Sequence, residues 1–523
     1  MLAVILGSGI VFLDSTVVNV ALPRIGQDLP SRFFGVLEAQ SYVYNGYLLT
    51  LSALLILAGA LADYYGRKRM FLIGLVGFGV TSVLCGLAPT MELLILFRIL
   101  QGAAGAILVP GSLALISAAF DGEEQGRAYG IWAGASAATT ILGPFVGGLL
   151  VDSISWRAAF LINVPLVILA AYATIRHVEE SRDETASSHF DWLGAAVVAL
   201  AVGGLAFGTI RGQQEEWHGV IAYVSLAIGI AATIWFPFLM KRREHPLVPL
   251  QLFRSRNFTV TNISTLVIYG ALYVTFYYLT IFMQGTIGYN AAAAGIAGVP
   301  GSVFLALFSS RFGSLAARYG PRIFMTAGPI LMALGVLWWT RIPPGSEPWV
   351  FSTSGSGTVL PPADYYVDLL PGYILFGIGI MILVAPLTTA LMTSIPKRNA
   401  GIGSAINNAI SRVGPQLAGA LIFVAIAATF YAGLHARVPS LDVSSDQVRQ
   451  EVPPLNQPDA SVPPNVQEAA KEASTHSFHV AMALAAGLLV VGSGVNWFGI
   501  RNSGGGAAEA GLEEPEPAHV AEA

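Results

Sequence analysis

The chain is poor in charge. Only 11% of its 523 residues are Asp, Glu, Lys or Arg, against roughly 25% in a soluble domain, which excludes an ordinary water-exposed globule. It has one cysteine, Cys85, so neither a disulfide nor a thiolate metal cluster can form within one chain. No Gly-x-x-x-x-Gly-Lys-Ser/Thr phosphate loop occurs, which excludes an ATP-driven pump built from this chain alone. There is no His-Glu-x-x-His segment, and no basic domain suited to nucleic acid.

What is abundant is apolar length. Hydrophobic residues make up 54% of the chain, and glycine alone contributes 57 positions. Apolar runs near the roughly 20 residues needed to cross a bilayer recur almost throughout. A β-barrel would show short alternating segments instead. Fourteen helical spans are expected, from 2–22 through to 476–499. The first carries Asp14 mid-core and has no basic leader, so it reads as a retained helix and not a signal peptide. An even number of spans puts both ends on one side.

Basic residues orient the chain. Loops on the side of Arg67–Arg69 hold 17 Lys/Arg and the opposite side holds 8, three of them in the long loop 433–475. The positive-inside rule makes the Arg67 side cytoplasmic. The polar, Pro-rich loop 433–475 is expected to be poorly ordered and extracytoplasmic, and the acidic tail 501–523 disordered.

Repeats set the architecture. "GALADYYGRKRMF" (59–71) returns as "GSLAARYGPRIF" (313–324), 254 residues later. "LGPFVGGLL" (142–150) returns as "VGPQLAGAL" (413–421), 271 residues later. The similar offsets map spans 1–6 onto 9–14 and leave spans 7–8 as an insert. The expected domains are a six-helix half over 1–176, two inserted helices over 191–240 and a second six-helix half over 258–500. Repeated halves around a central site are the plan of secondary transporters.

Four stretches carry a family resemblance: "LDSTVVNVALP" (13–23), "GALADYYGRKRM" (59–70), "RILQGAAGAILVPGSLALI" (98–116) and "GASAATTILGPFVGGLL" (134–150). They resemble the helix-1 signature and motifs A, B and C of the major facilitator superfamily, specifically its fourteen-helix drug:proton antiporter branch. The resemblance implies an all-α polytopic membrane protein that exchanges protons for small lipophilic compounds, exporting them by alternating access. It implies no cofactor beyond the proton. The expected partners are substrate, protons and the lipid bilayer of the cell membrane, with the chain working as a monomer and no nucleic acid. Export of an endogenous metabolite or siderophore is an alternative, and a non-transporting sensor or scaffold is another.

Each motif has a physical reading. Asp14 is the one carboxylate placed deep in a span, and intramembrane ionisable groups are costly and point to function. Its bland reading is a packing hydrogen bond or ion pair. By resemblance, Arg98 lies near Asp14 and holds it ionised until a proton or substrate competes. Together they are the expected proton-coupling pair. The alternative is a structural buried pair. Gly59, Asp63, Gly66 and Arg67 form a basic turn whose glycine permits a tight corner. Asp63 can accept from exposed N–H groups at a helix N-terminus or pair with a nearby Arg, for which Arg127 is a candidate, and the cluster would latch the halves in one state. In the second copy Ala317 replaces Asp63. Gly143, Pro144, Gly147 and Gly148 allow close, bent helix packing. Arg412, with Asn407, Asn408 and Gln416, either lines a substrate cavity with Asn45 or snorkels to the edge. One acid against two arginines makes neutral or anionic cargo at least as compatible as cationic.

Overall fold

In this computed structural model the described residues are 1–32, 36–182, 190–214, 217, 219–352, 357–459 and 461–502. Among the described residues fourteen long helices dominate. In chain order they are α1 (Leu2–Asp28), α2 (Val36–Tyr65), α3 (Arg67–Gly86), α4 (Met91–Ala119), α5 (Gly122–Ser153) and α6 (Asn163–His177, after the short turn Ala158–Leu161). Then come α7 (Trp192–Gln214), α8 (Val220–Arg242), α9 (Arg256–Ile281), α10 (Val299–Tyr319), α11 (Arg322–Trp339), α12 (Leu370–Thr393), α13 (Ala400–Arg437) and α14 (Pro464–Gly499). Among the described residues thirteen helices are long and apolar enough to cross a membrane, and α5 is the long helix outside that set. Among the described residues the β-structure is one isolated bridge, between Phe351 and Thr358.

Two large clusters form the core. One centres on Tyr47, Phe71, Phe78 and Leu108 of the first half and reaches across to Ile402 and Ala409 of the second; the other, on Phe282, Trp339, Phe376 and Phe478, lies in the second half. Between halves, α2 packs on α13 and α5 on α10. Under the sequence offsets α2 corresponds to α10 and α5 to α13, so the two contacts exchange with one another. The hairpin α7–α8 packs on itself through Gly204 and Gly229 and touches α2 and α13. It is tied to α2 by Arg211, whose Nη1 donates to the Tyr42 hydroxyl at 2.7 Å. The outer helix α8 is the least covered, with 11% of its apolar window buried, as expected of a lipid-facing helix.

Glycine serves the repeated corner in both copies. Gly66 has φ +107° between α2 and α3, and Gly320 has φ +87° between α10 and α11. A residue with a Cβ is strained there.

The loop 433–475 departs from expectation. It is largely helical and packed. Helix α13 runs on to Arg437, a short helix covers Asp446–Glu451, and α14 begins at Pro464 instead of 476. The reason is an apolar seam that outlasts the membrane-length runs. Phe430 and Leu434 of α13 meet Val466, Ala469 and Ala473 of α14, and Val452 and Val462 close the cluster. Those alanines and valines are scattered among Glu and Lys, which conceals their helical spacing from a hydropathy reading. Of the tail, Arg501 and Asn502 are described. The Arg501 N–H donates to Asn257, and Asn502 accepts from the Arg322 N–H. The remainder of the expected disordered tail, 503–523, lies outside the described residues.

Candidate functional site

Asp14 is wholly buried among α1, α2, α4 and α6. Its Oδ2 lies 2.5 Å from Arg98 Nη1, and both side chains are 0% exposed. Oδ1 accepts from Gln101 Nε2 at 3.1 Å and Asn163 Nδ2 at 2.9 Å. The carboxylate therefore has three donors, one of them the Arg98 guanidinium, whose hydrogen bond is charge-assisted.

Arg98 is held as tightly. Its Nε donates to the Val43 carbonyl at 3.2 Å and its Nη1 to Gln101 Oε1 at 2.7 Å. Its guanidinium stacks 4.1 Å from the Tyr47 ring centre. Nη2 is buried without a partner among the described residues, leaving one nitrogen of the guanidinium unused in this state. Ser82 of α3 accepts from both Gln101 (2.8 Å) and Asn163 (3.3 Å). The whole network belongs to the first half. Removing either charge would strand the other, at a cost of about 3–5 kcal/mol.

Gln101, Asn163 and Ser82 were not singled out from the sequence. Gln101 stands three residues after Arg98 and so on the same helix face, a signal that was readable. Asn163 comes from a helix distant in sequence, and no local pattern links it to Asp14.

The second cluster lies where α2 ends. The Asp63 carboxylate accepts from the backbone N–H groups of Gly401 (3.0 Å) and Ile402 (2.8 Å) at the start of α13. It also pairs with Arg67 at 2.9 Å, and both side chains are under a tenth exposed. Arg67 continues across to the second half, donating to the carbonyls of Lys397 and Arg398. A carboxylate on a helix N-terminus and a guanidinium on carbonyls complement each other electrostatically. Arg127 is not the partner of Asp63. It is exposed at the start of α5, while Gly66 breaks the helix so that Arg67 folds back on Asp63 instead.

Glu180 holds the other side of this corner. Its two carboxylate oxygens accept from the N–H groups of Lys68 and Arg69, each at 3.0 Å. The first turn of α3 is thus capped by a residue from beyond α6. Nearby, an exposed ion pair joins Lys397 to Asp121 at 2.5 Å.

Backbone contacts between halves accompany these bonds. A Cβ on Gly59 would meet the Gly401 carbonyl oxygen at 2.5 Å, and one on Gly126 would meet the Gly313 carbonyl oxygen at 2.5 Å. Gly134 would meet the Ala306 carbonyl at 3.0 Å, and Ser309 donates to the Gly130 carbonyl at 2.5 Å. All these approaches lie towards the Arg67 face of the bundle. Small residues admit such proximity between membrane helices.

The glycines of the α5 motif divide. Gly143 lies against Thr16 of α1, and a Cβ on Gly147 would meet Val17 Cα at 3.0 Å. Gly148 has nothing within 4 Å of its Cβ position. It is therefore not part of the packed track, because it sits one residue off the face that meets α1. The side chain of Pro144 lies outside the described residues.

In the second half, Asn408, Arg412 and Gln416 fall at four-residue steps on α13 and are half-buried. Asn408 donates back to the Ser404 carbonyl at 2.9 Å. Its neighbour Asn407 instead bridges to α9, donating to Asn262 at 3.1 Å and Thr265 at 2.8 Å. Asn45 is half-buried on α2.

The Major Facilitator Superfamily profile matches residues 4–420. The chain belongs to the major facilitator superfamily. It is thus a multi-pass membrane transporter of small molecules and not an enzyme. This transporter is 34% identical over 439 residues to the multidrug resistance protein Stp of Mycobacterium tuberculosis, covering 83% of this chain and 76% of that protein. It is 29% identical over 520 residues to the puromycin resistance protein pur8 of Streptomyces alboniger, covering 97% and 92%. It is 29% identical over 427 residues to the tetracenomycin C resistance and export protein of Streptomyces glaucescens, covering 82% and 75%. Among solved structures it shares the fold of the human organic anion transporter MFSD10, with TM-score 0.58 and 12% identity over 94% of this chain and 98% of that one.

Proposed function

We propose that the chain exports small lipophilic compounds from the cytoplasm in exchange for protons, as a monomer in the cell membrane with both termini cytoplasmic. The observation that carries the reading is the Asp14–Arg98 pair, a costly ionised couple buried inside one half with further donors around it. Protonation of Asp14 would release Arg98 and the donors of Gln101 and Asn163 at once. The proton is the only cofactor the scheme needs. The relatives named for resistance and export support the direction of transport.

With the Arg67 face cytoplasmic, the state described here is closed to the cytoplasm. Asp63, Arg67 and the glycine contacts of α5 and α10 hold that closure. Binding of substrate from the cytoplasm then requires these bonds to part, and proton loading from outside favours their re-formation. Arg412, Asn408, Gln416 and Asn45 are the groups proposed to meet substrate between the halves.

A second reading keeps the mechanism and changes the cargo to a compound made by the cell itself. It is favoured by relatives named as a tetracenomycin C export protein and a probable actinorhodin transporter.

The test is proton flux in proteoliposomes under an imposed pH gradient, with neutral, anionic and cationic lipophilic compounds in turn. Substrate-dependent collapse of the gradient that is lost in Asp14→Asn supports antiport. Undiminished flux in a folded Asp14→Asn protein overturns the role of Asp14.

A further inference from the structure

A cavity of about 520 Å³ lies between the inserted hairpin and the two halves. Its walls come from both halves and the insert: Ile56 of α2, Val202 of α7, Pro237 of α8, Phe253 of the segment before α9, Leu266 of α9 and Ala409 of α13. The volume suits a small-molecule site, but such sites ordinarily include a few polar groups that fix orientation. Here the one polar lining residue is Thr233, and its hydroxyl already donates to the Gly229 carbonyl at 2.7 Å. Nothing in the wall is left to recognise a polar molecule. The occupant that fits is plain hydrocarbon.

The rim is not apolar. Lys241 follows Pro237 by four residues on α8, about 6 Å along the helix axis. Arg254 directly follows Phe253. Lys241, Arg242 and Arg254 are exposed and have no ion pair among the described residues. Their neighbour Arg243, by contrast, is engaged by Asp191 at 3.4 Å. Three uncommitted cations beside a hydrocarbon slot, on the basic face of the bundle, complement one amphiphile: an acyl chain with a phosphate at its end.

We propose that this cavity binds one acyl chain of an anionic phospholipid of the cytoplasmic leaflet, with its phosphate held by Lys241, Arg242 and Arg254. The cytoplasmic assignment rests on the orientation proposed above; the binding itself does not depend on transport. Because Ile56 belongs to the first half and Ala409 to the second, the slot changes shape when the halves move. A lipid bound there therefore favours one state over the other.

The test uses the full chain in phosphatidylcholine nanodiscs doped with phosphatidylglycerol bearing a photoactivatable group in one acyl chain. Cross-links are expected in the segments 198–205 and 406–413. Unlabelled phosphatidylglycerol should suppress them and phosphatidylcholine should not. Lys241→Gln with Arg254→Gln, both at exposed positions, is expected to lower this labelling at least about fivefold. Ala409→Phe, which fills the slot, should do the same while leaving labelling of the lipid-facing helix α11 unchanged. Equal competition by phosphatidylcholine, or labelling indifferent to both sets of substitutions, overturns the proposal in favour of ordinary surrounding lipid. Displacement of the label by lipophilic compounds but not by phosphatidylglycerol overturns it in favour of a cargo route.

Discussion

Asp63 and Ile402 are 339 residues apart in the chain and 2.8 Å apart across the divide between the halves. The bond is from a backbone N–H to a carboxylate, and Gly401 supplies a second. The contact caps α13, neutralises the Arg67 guanidinium and joins two bodies at once.

Asp63→Asn keeps the shape and removes the charge. Losing the charge-assisted character of these bonds is expected to weaken the closure by about 1–3 kcal/mol, a shift of roughly 5- to 150-fold towards opening. Spin labels at Glu123 and Arg318, exposed on opposite halves, would read it. Their distance distribution should broaden to longer separations. An unchanged distribution would show that Asp63 does not hold the closure.

Gly313→Val drives a branched side chain into the backbone of Gly126. Neither partner is a flexible side-chain end that could yield. The variant is expected to fold, since neither Gly126 nor Gly313 belongs to the two hydrophobic clusters, but to fail to close. Substrate flux should fall at least about a hundredfold. Gly148→Ala, with nothing within 4 Å of its Cβ position, should leave flux near that of the unaltered chain, and a comparable loss there would contradict the packing described.

Asn163→Leu is close in volume and removes one donor from Asp14. A hydrogen bond to a charged group contributes about 1.5–3 kcal/mol. A lower melting temperature in detergent, together with an altered pH dependence of flux, is the expected outcome. A change in stability alone would assign Asn163 to packing.

Val452→Asp places a charge in the cluster that covers the outer ends of α13 and α14, where Val452 is 2% exposed. Local opening of 438–463 is expected, seen as faster amide exchange there while the bundle stays protected. Exchange that rises throughout the second half would mean that the loop is part of that half's core.

Much of this was legible in the sequence because membranes impose simple rules. Length and hydropathy gave the helices, and the paired glycines at 66 and 320 gave the repeat. Asp14 and Arg98 stood out because charge is rare within spans. Their surroundings were not legible. Asn163 and Ser82 are ordinary polar residues whose importance lies in which helix faces which. For Asp63 the kind of partner was legible, a helix N-terminus or an arginine, but not which: the N–H groups are those of Gly401 and Ile402, and the arginine is Arg67 and not Arg127. The order in 433–475 was hidden because a seam of alanine and valine is weakly hydrophobic per residue and shows only when two helices run beyond the bilayer together.

Helix α5 bears on different partners at its two ends. Near Gly143 and Gly147 it rests on α1, within a turn of Asp14, and near Gly126 and Gly134 it rests on α10. Some 21 residues, about 30 Å of helix, separate Gly126 from Gly147. Such a rod works as a seesaw beam: a small displacement where α1 meets it is delivered at the far end, where the two backbones touch. Because Gly147 meets the Val17 backbone at one bearing and Gly126 meets the Gly313 backbone at the other, only the Thr16 side chain beside Gly143 need adjust between the event at one end and the movement at the other.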